Sequence, residues 1–157
     1  MLNFSNLVAY IDSDSVVTPM IDTIFDYYPK DSEFPYLSKA IHDWLHKDGR
    51  GGAMSRDDLS TTLEHPLCEL LNINQYVRQH YRNANTFVCG QNTIDFLDEW
   101  FWVCNHPKVL KNFAYYAPFQ EETVANVLFW KYNFHDSLPY IFMNGNDETI
   151  KEVFEEI

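Results

Sequence analysis

Short apolar runs alternate with helical patterns along this chain, and that alternation limits the folds open to it. Residues 7–11 form an apolar run bounded by polar residues, which predicts a buried strand, and residues 85–90 predict another. Residues 94–104 and 121–132 repeat apolar side chains at helical spacing, and residues 138–144 predict a further strand. Strands that alternate with helices are typical of α/β layer structures.

Capping residues and apolar spacing predict three more helices. Thr18 and Pro19 have the order of an N-cap followed by a first helical residue, so we expect a helix that ends before Pro29. A second helix is predicted over residues 36–47, and Asp147 is placed to cap a last, acidic helix. The residues expected to face the core are Ile21, Ile24, Phe25 and Tyr28, then Leu37, Ile41, Trp44 and Leu45, then Ile94, Leu97, Phe101 and Cys104.

Charge and cysteine usage narrow the classes of partner. The chain has 11 Lys and Arg against 23 Asp and Glu, a net charge of −12 at pH 7. This balance disfavours a nucleic-acid partner, because no basic stripe exists to displace counterions from phosphates. No apolar run approaches the length that spans a membrane. Three cysteines without metal-ligand spacing are typical of a reducing compartment, so we expect a cytoplasmic protein.

Two carboxylates, Asp12 and Asp14, follow the first apolar run directly. If the chain stays extended through Ser13, both side chains point to the same face, since alternate residues of a strand do so. Two adjacent carboxylates repel each other unless a cation lies between them or one of them takes a proton. A divalent ion with oxygen ligands meets that need and can bridge to a diphosphate. The alternative is that both acids cap the following turn through their side-chain oxygens.

The stretch "LVAYIDSDSVVTPMIDTIF" (7–25) resembles the Asp-x-Asp segment of GT-A fold glycosyltransferases. In that family this motif holds Mn²⁺ or Mg²⁺ on the diphosphate of a nucleotide-sugar donor. The resemblance implies that Asp14 is the principal metal ligand. It also implies that Asp12 reaches the donor ribose, or reaches the metal through water.

Three later stretches resemble further segments of the same family, in the same order. In "YRNANTFVCGQNTIDFLDEW" (81–100) the resemblance places Asn85 near the donor sugar and gives Trp100 a structural role. In "FQEETVANVLFW" (119–130) it implies that Glu121 and Glu122 face the transferring sugar as the catalytic pair, with Asn126 as a structural or sugar-side partner. "LPYIFMN" (138–144) is similar to the family's Leu-Pro strand under the active site.

The resemblance implies a metal-dependent transferase that moves a sugar from a nucleotide-diphosphate sugar, with a UDP-sugar favoured, to a hydroxyl of a carbohydrate or another acceptor. Residues 1–157 would be one domain, the C-terminal portion of a GT-A-like catalytic domain with a mixed sheet and flanking helices. Eleven residues precede Asp12. We therefore expect a preceding segment or a second chain to supply the nucleotide-binding half.

Two other interpretations fit parts of the sequence. "YIDSDSV" also resembles the first motif of haloacid-dehalogenase-like phosphohydrolases, in which Asp12 would be the nucleophile and Asp14 the general acid/base. That interpretation draws on Lys131 and on the acidic pair Asp147 and Glu148 for a Mg²⁺ site. The non-enzyme interpretation is an inactive remnant of the GT-A fold or a carbohydrate-binding module that keeps the aromatic core.

Overall fold

The computed structural model describes residues 7–13, 17, 19–39, 67, 69–73, 82–116 and 120–139. Within these ranges the fold is mixed α/β, with a small three-stranded antiparallel sheet and helices. The strands are β1 (Val8–Ile11), β2 (Tyr36–Lys39) and β3 (Arg82–Cys89). The α-helices are α1 (Ile94–Cys104), α2 (Pro107–Tyr116) and α3 (Gln120–Lys131), and two 3-10 helices cover Pro19–Tyr27 and Gln91–Thr93.

Strand β3 is the centre of the sheet, and β1 and β2 pair with it on either side. The β1 register is regular, with Val8 opposite Cys89 and Ile11 opposite Thr86. The β2 register shifts after Leu37, which is a local bulge. Beyond β2 the chain returns at Leu138, which donates its N–H to the carbonyl of Leu37 at 2.8 Å and forms an isolated parallel bridge. The sheet therefore gains a short parallel contact at the β2 edge.

Two apolar clusters cover the opposite faces of the sheet. On one face, Leu37 and Phe87 pack with residues of α1, α2 and α3, including Phe96 and Phe129, whose rings stack at 4.9 Å. On the other face, the 3-10 helix Pro19–Tyr27 places Ile24 in a second cluster with Val88 and Leu138. Burial of these side chains from both sides is what holds the sheet and helices together.

The prediction of a helix over 36–47 is wrong at its start, because Tyr36–Lys39 is strand β2. Leu37 and Ser38 have no exposed surface and Tyr36 has 7%, so both sides of this segment are covered. A strand that is buried on both faces lacks the alternation of apolar and polar residues that would distinguish it from a helix. The pairing with β3 determines the conformation of this segment. The part of this prediction that covers residues 40–47 lies outside the described residues.

The strand predicted at 7–11 is confirmed as β1, but it is an edge strand and not a buried one. Val8 is 39% exposed and Tyr10 46% exposed, and exposure alternates along the strand. Within the part of the chain that the structure describes, β1 pairs on one side only, with β3. One covered face is sufficient for a strand of this kind, so its apolar run does not require full burial.

Helix α1 begins and ends where the sequence predicts, but its inward face differs. Phe96 and Val103 are buried, whereas Ile94 is 48% exposed and Phe101 is 71% exposed. Phe96 stacks on Phe129 of α3, and both Phe96 and Val103 belong to the apolar cluster on the helical side of the sheet. The prediction chose another stripe because this helix carries apolar residues on nearly every side.

The remaining element predictions have mixed outcomes. Helix α3 and strand β3 are confirmed, and β3 begins three residues before the predicted start of 85. The segment that starts at Pro19 is helical, but it is a 3-10 helix, and Phe25 is 41% exposed. Helix α2 was not predicted, although Pro107 at its first position is a start signal. The helix from Asp147 and most of the strand at 138–144 lie outside the described residues.

Candidate functional site

Asp12 lies where β1 leaves the sheet. Its N–H donates to the carbonyl of Asn85 at 2.8 Å, which extends the β1–β3 ladder by one residue. The N–H of Ser13 then donates to Oδ1 of Asp12 at 2.8 Å, and Ser13 lies in a turn. The chain is therefore not extended through Ser13, which was the condition for Asp12 and Asp14 to share a face. One oxygen of Asp12 binds the turn, as the capping alternative predicted, and Asp14 lies outside the described residues.

Glu122 reaches the same stretch of β3 from the helical side. Its Oε2 accepts a hydrogen bond from the N–H of Ala84 at 2.9 Å, and the residue is only 2% exposed. Ala84 precedes Asn85, the residue that holds Asp12. The structure thus brings Asp12, Asn85 and Glu122 to neighbouring positions where β1 ends, β3 begins and α3 begins.

Asn126, one turn further along α3, is bonded entirely within the protein. Its Oδ1 accepts from the N–H of Arg82 at 2.9 Å, and its Nδ2 donates to the carbonyls of Arg82 at 2.8 Å and Glu122 at 2.9 Å. The residue has no exposed surface. Of the two roles predicted for Asn126, this geometry favours the structural one, and a direct contact with a sugar stays a prediction.

Glu121 is exposed on the first turn of α3, next to the buried Glu122. Its carbonyl accepts a hydrogen bond from Nε1 of Trp100 at 2.8 Å, which ties the start of α3 to α1. The Trp100 ring also contacts Phe87 on β3, with the ring centroids 5.9 Å apart. Trp100 therefore has structural contacts on both sides, and the Glu121 side chain extends from a fixed backbone position.

Arg82 anchors the base of this region and was not singled out in the sequence. The residue is 1% exposed, and its Nε and Nη2 donate to the carbonyls of Asp136 and Phe134 at 3.0 and 2.8 Å. Its guanidinium lies 4.5 Å from the ring centroid of Phe129. Burial lowers the pKa of Arg82 to about 10. The available signal was a basic residue three positions before the predicted strand at 85–90.

A second polar cluster lies at the far end of α3. Lys131 and Tyr132 both bind the carboxylate of Glu99 on α1. Burial lowers the pKa of Lys131, but its hydrogen bonds to Glu99 and Tyr132 outweigh that effect, so the pKa is raised. The hydrogen bond to Glu99 raises the pKa of Tyr132. Both groups stay protonated at neutral pH, so the cluster ties α1 to α3 and offers no base.

Two further groups are unsuited to chemistry at neutral pH. Burial raises the pKa of Cys104 to about 12, so its thiol is not a nucleophile under ordinary conditions. Burial and a hydrogen bond to Asp136 raise the pKa of Tyr36 to about 12.

Within the described ranges, no three His, Cys, Asp or Glu residues come together as a metal-binding group. Of the predicted metal pair only Asp12 is described, so the Mn²⁺ or Mg²⁺ site stays a prediction. No helix in the described part of the chain is both long and apolar enough to cross a membrane.

Comparison with known proteins adds no relative. No family model matches the chain. No curated protein matches it. No solved structure matches it either.

Proposed function

We propose that this chain is part of a metal-dependent glycosyltransferase of the GT-A type, acting on a nucleotide-diphosphate sugar and an acceptor hydroxyl. The observation that carries the proposal is a pair of hydrogen bonds on adjacent residues of β3. The carbonyl of Asn85 accepts from Asp12, and the N–H of Ala84 donates to Glu122. Through these bonds, three motifs that are far apart in sequence meet at one end of the sheet.

Each group has a role suited to its position. Asp12 and Asp14 would hold Mn²⁺ or Mg²⁺, which stabilises the negative charge of the departing diphosphate. Glu121, whose side chain is exposed, would contact the donor sugar and assist transfer, while the buried Glu122 fixes the start of α3 against β3. Asn85 would line the sugar pocket beside them. Asn126 supports the arrangement from within the core.

The phosphohydrolase alternative fits this geometry less well. It uses Lys131 beside the nucleophile Asp12, but Lys131 is nine residues beyond Glu122 on the same helix. Since an α-helix rises 1.5 Å per residue, Lys131 lies about 13 Å further along α3. Its ammonium also binds Glu99 at that far end. A lysine in this position is poorly placed to serve Asp12.

The test is a thermal-shift measurement of the chain with Mn²⁺, UDP-, GDP- and CMP-sugars, and combinations of the two. We expect one donor to raise the melting temperature only when Mn²⁺ is present, because a ligand that binds only the folded state stabilises it. Asp14→Asn should abolish the shift. The matched control is Asp26→Asn, which removes an exposed acid from the 3-10 helix and should leave the shift intact.

Two results would overturn the proposal. One is a cooperative melting transition that neither Mn²⁺ nor any donor moves, because the paired aspartates of this chain would then hold no ion. The other is a shift that survives in both Asp12→Asn and Asp14→Asn, because binding would then not use the paired aspartates. Hydrolysis of small phosphate esters that requires Mg²⁺ and is lost in Asp12→Asn would favour the phosphohydrolase instead.

A further inference from the structure

The outer face of helix α1 carries large apolar side chains that the fold leaves in water. Phe101 is 71% exposed and Trp102 is 54% exposed, more than any other aromatic residue whose side chain the structure describes. Ile94, one turn and more before them on the same helix, is also exposed. The buried residues of α1, Phe96 and Val103, already fill the apolar cluster on the helical side of the sheet. The exposed residues are therefore surplus to the packing of this helix.

The two tryptophans of α1 show how the two faces differ. Nε1 of Trp100 donates to the carbonyl of Glu121 at 2.8 Å, and its ring contacts Phe87, so this residue is used within the fold. The ring of Trp102 instead lies beside the ring of His106, with the centroids 5.2 Å apart, and more than half of the residue stays exposed. Trp102 thus has a neighbour that orients its ring without covering it.

One carboxylate lies in the middle of this outer face. Asp98 is four residues after Ile94, three before Phe101 and four before Trp102. Residues three or four apart on a helix are neighbours on its surface. The Asp98 carboxylate is consequently surrounded by exposed apolar side chains.

The Asp98 side chain has no hydrogen bond or ion pair within the part of the chain that the structure describes. The adjacent Glu99, by contrast, binds Lys131 and Tyr132. Asp98 also lies beyond the first turn of α1, which is where the helix dipole stabilises a carboxylate. Neither role explains Asp98, and its carboxylate is available to a partner.

A partner that covers these rings must also bring a positive charge. Covering them takes the Asp98 carboxylate out of water, and a buried charge without an opposite charge is costly. Helix α1 has three acids and no basic residue, and the net charge of −12 attracts cationic segments and repels anionic ones. A second copy of this face would bring like charges together, so self-association through it is disfavoured.

Arginine suits this surface better than lysine does. Its planar guanidinium stacks on a tryptophan ring and forms two parallel hydrogen bonds with a carboxylate. Asp98 and Trp102, four residues apart on one face, offer both contacts to the same side chain. Ile94 and Phe101 offer apolar surface on either side, where residues that flank the arginine can pack.

We propose that the outer face of α1, formed by Ile94, Asp98, Phe101 and Trp102, docks a peptide segment of another protein that carries an arginine flanked by apolar residues. This surface uses none of the residues assigned to the transferase reaction. The inference therefore stands or falls separately from the proposed function, and Asp14→Asn should leave docking unchanged.

Selection from a phage-displayed library of random peptides, on the immobilised full chain, tests the surface. We expect the enriched peptides to carry an arginine next to leucine, isoleucine or aromatic residues. The most enriched peptide then becomes the labelled probe for fluorescence-polarisation titrations. Asp98→Asn and Trp102→Ala should each weaken its binding roughly tenfold, because each removes one contact of the arginine. Asp26→Asn, an exposed acid of the 3-10 helix, is the matched control and should bind as the unmodified protein does.

Thermal melting shows which variants are folded, and only those with a cooperative transition count. Three results would overturn the proposal: no peptide enriched on the folded chain, enriched peptides without arginine, or equal binding by Asp98→Asn and the unmodified protein. Sedimentation equilibrium supplies a further test. A dimer of the unmodified chain that Phe101→Asp converts to a monomer would show that a second copy covers this face, which would also overturn it.

Discussion

The junction of β3 with α3 and the exposed edge of β1 use similar polar residues in opposite ways. At the junction, Asn126 and Glu122 direct their side chains to backbone groups of β3, and both are buried. At the edge, Oδ1 of Asp12 accepts a hydrogen bond from the N–H of the next residue, Ser13, and Asp12 is only half-buried. The difference teaches that an acid or amide in a motif serves a ligand only where its hydrogen-bonding capacity is not already used.

The largest expected effect on the free energy of unfolding is that of Asn126→Ala. The change removes three hydrogen bonds and leaves the buried N–H and C=O of Arg82 without that partner. Unsatisfied buried groups cost about 1–3 kcal/mol each, so we expect the free energy of unfolding to fall by about 3 kcal/mol or more. Urea denaturation measures it. Asn92→Ala, whose amide bonds at the surface, should change stability by less than about 0.5 kcal/mol.

A loss below about 1 kcal/mol in Asn126→Ala would contradict the structural role of this amide. The side chain would then be free for a ligand, as the sugar-side alternative requires. In that case the junction and the edge would no longer differ in kind.

The two faces of α1 offer a second contrast. Val103→Ala should cost about 2 kcal/mol, because it removes two buried carbons and leaves a cavity in the apolar cluster on the helical side of the sheet. Phe101→Ala should change stability by less than about 0.5 kcal/mol, since 71% of that residue is exposed. Parallel urea titrations compare them. The reverse ranking would restore the face predicted from the sequence and reject the packing described above.

The pH dependence of stability tests the hydrogen bond between Tyr36 and Asp136, the residue whose carbonyl accepts from Arg82. Burial and the hydrogen bond to Asp136 raise the pKa of Tyr36 to about 12, whereas an unfolded tyrosine titrates near 10. The folded state keeps this proton longer, so the stabilisation is complete below pH 10 and is lost as pH rises through about 12. Tyr36→Phe should lower stability at pH 8 by about 1 kcal/mol and flatten its decline between pH 10 and 12.

Urea titrations at a series of pH values give both quantities for the two proteins. The difference between the two proteins isolates the contribution of Tyr36, because the chain has ten tyrosines. Identical slopes would mean that the Tyr36 hydroxyl does not keep its bond to Asp136 in solution.

The smallest expected effect on the fold is that of Asp12→Asn. The bond to Asn85 comes from the backbone N–H, and the amide oxygen of an asparagine can still accept from Ser13. Stability should therefore change by less than about 0.5 kcal/mol in thermal or urea unfolding. A loss above about 1.5 kcal/mol would mean that the Asp12 carboxylate has only a structural role in the turn, like the side chains of Asn126 and Glu122 at the junction.

The spacing of apolar residues predicted the elements well where a single face is buried or where a clear stop signal ends the element. The bounds of α1 were predicted, and β1 and α3 were found close to their places. Periodicity failed for Tyr36–Lys39, because a segment covered on both faces shows no alternation. Periodicity also selected the wrong apolar face of α1. This helix has apolar residues on nearly every side, so its packing partner determines which of them are buried.

The proximity of three predicted site residues was predictable from the sequence, whereas their hydrogen-bond partners were not, and their roles stay predictions. Sequence order pointed to Asp12, Asn85 and Glu122, and the structure places them together. It could not show that Glu122 and Asn126 bind β3, because those partners are nearly 40 residues or more away in sequence. Arg82 was not singled out for the same reason, since its significance lies in contacts with Phe134 and Phe129.

We propose that the end of β1 holds a divalent cation that binds a nucleotide diphosphate. The most direct measurement is a titration of Mn²⁺ followed by electron paramagnetic resonance, in which the signal of the free aqueous ion falls as it is bound. The account predicts binding that tightens when UDP is added and that is lost in both Asp12→Asn and Asp14→Asn, while Asp26→Asn behaves as the unmodified protein does. The proposal would be contradicted if the signal of free Mn²⁺ were no lower with folded protein and UDP together than with UDP alone.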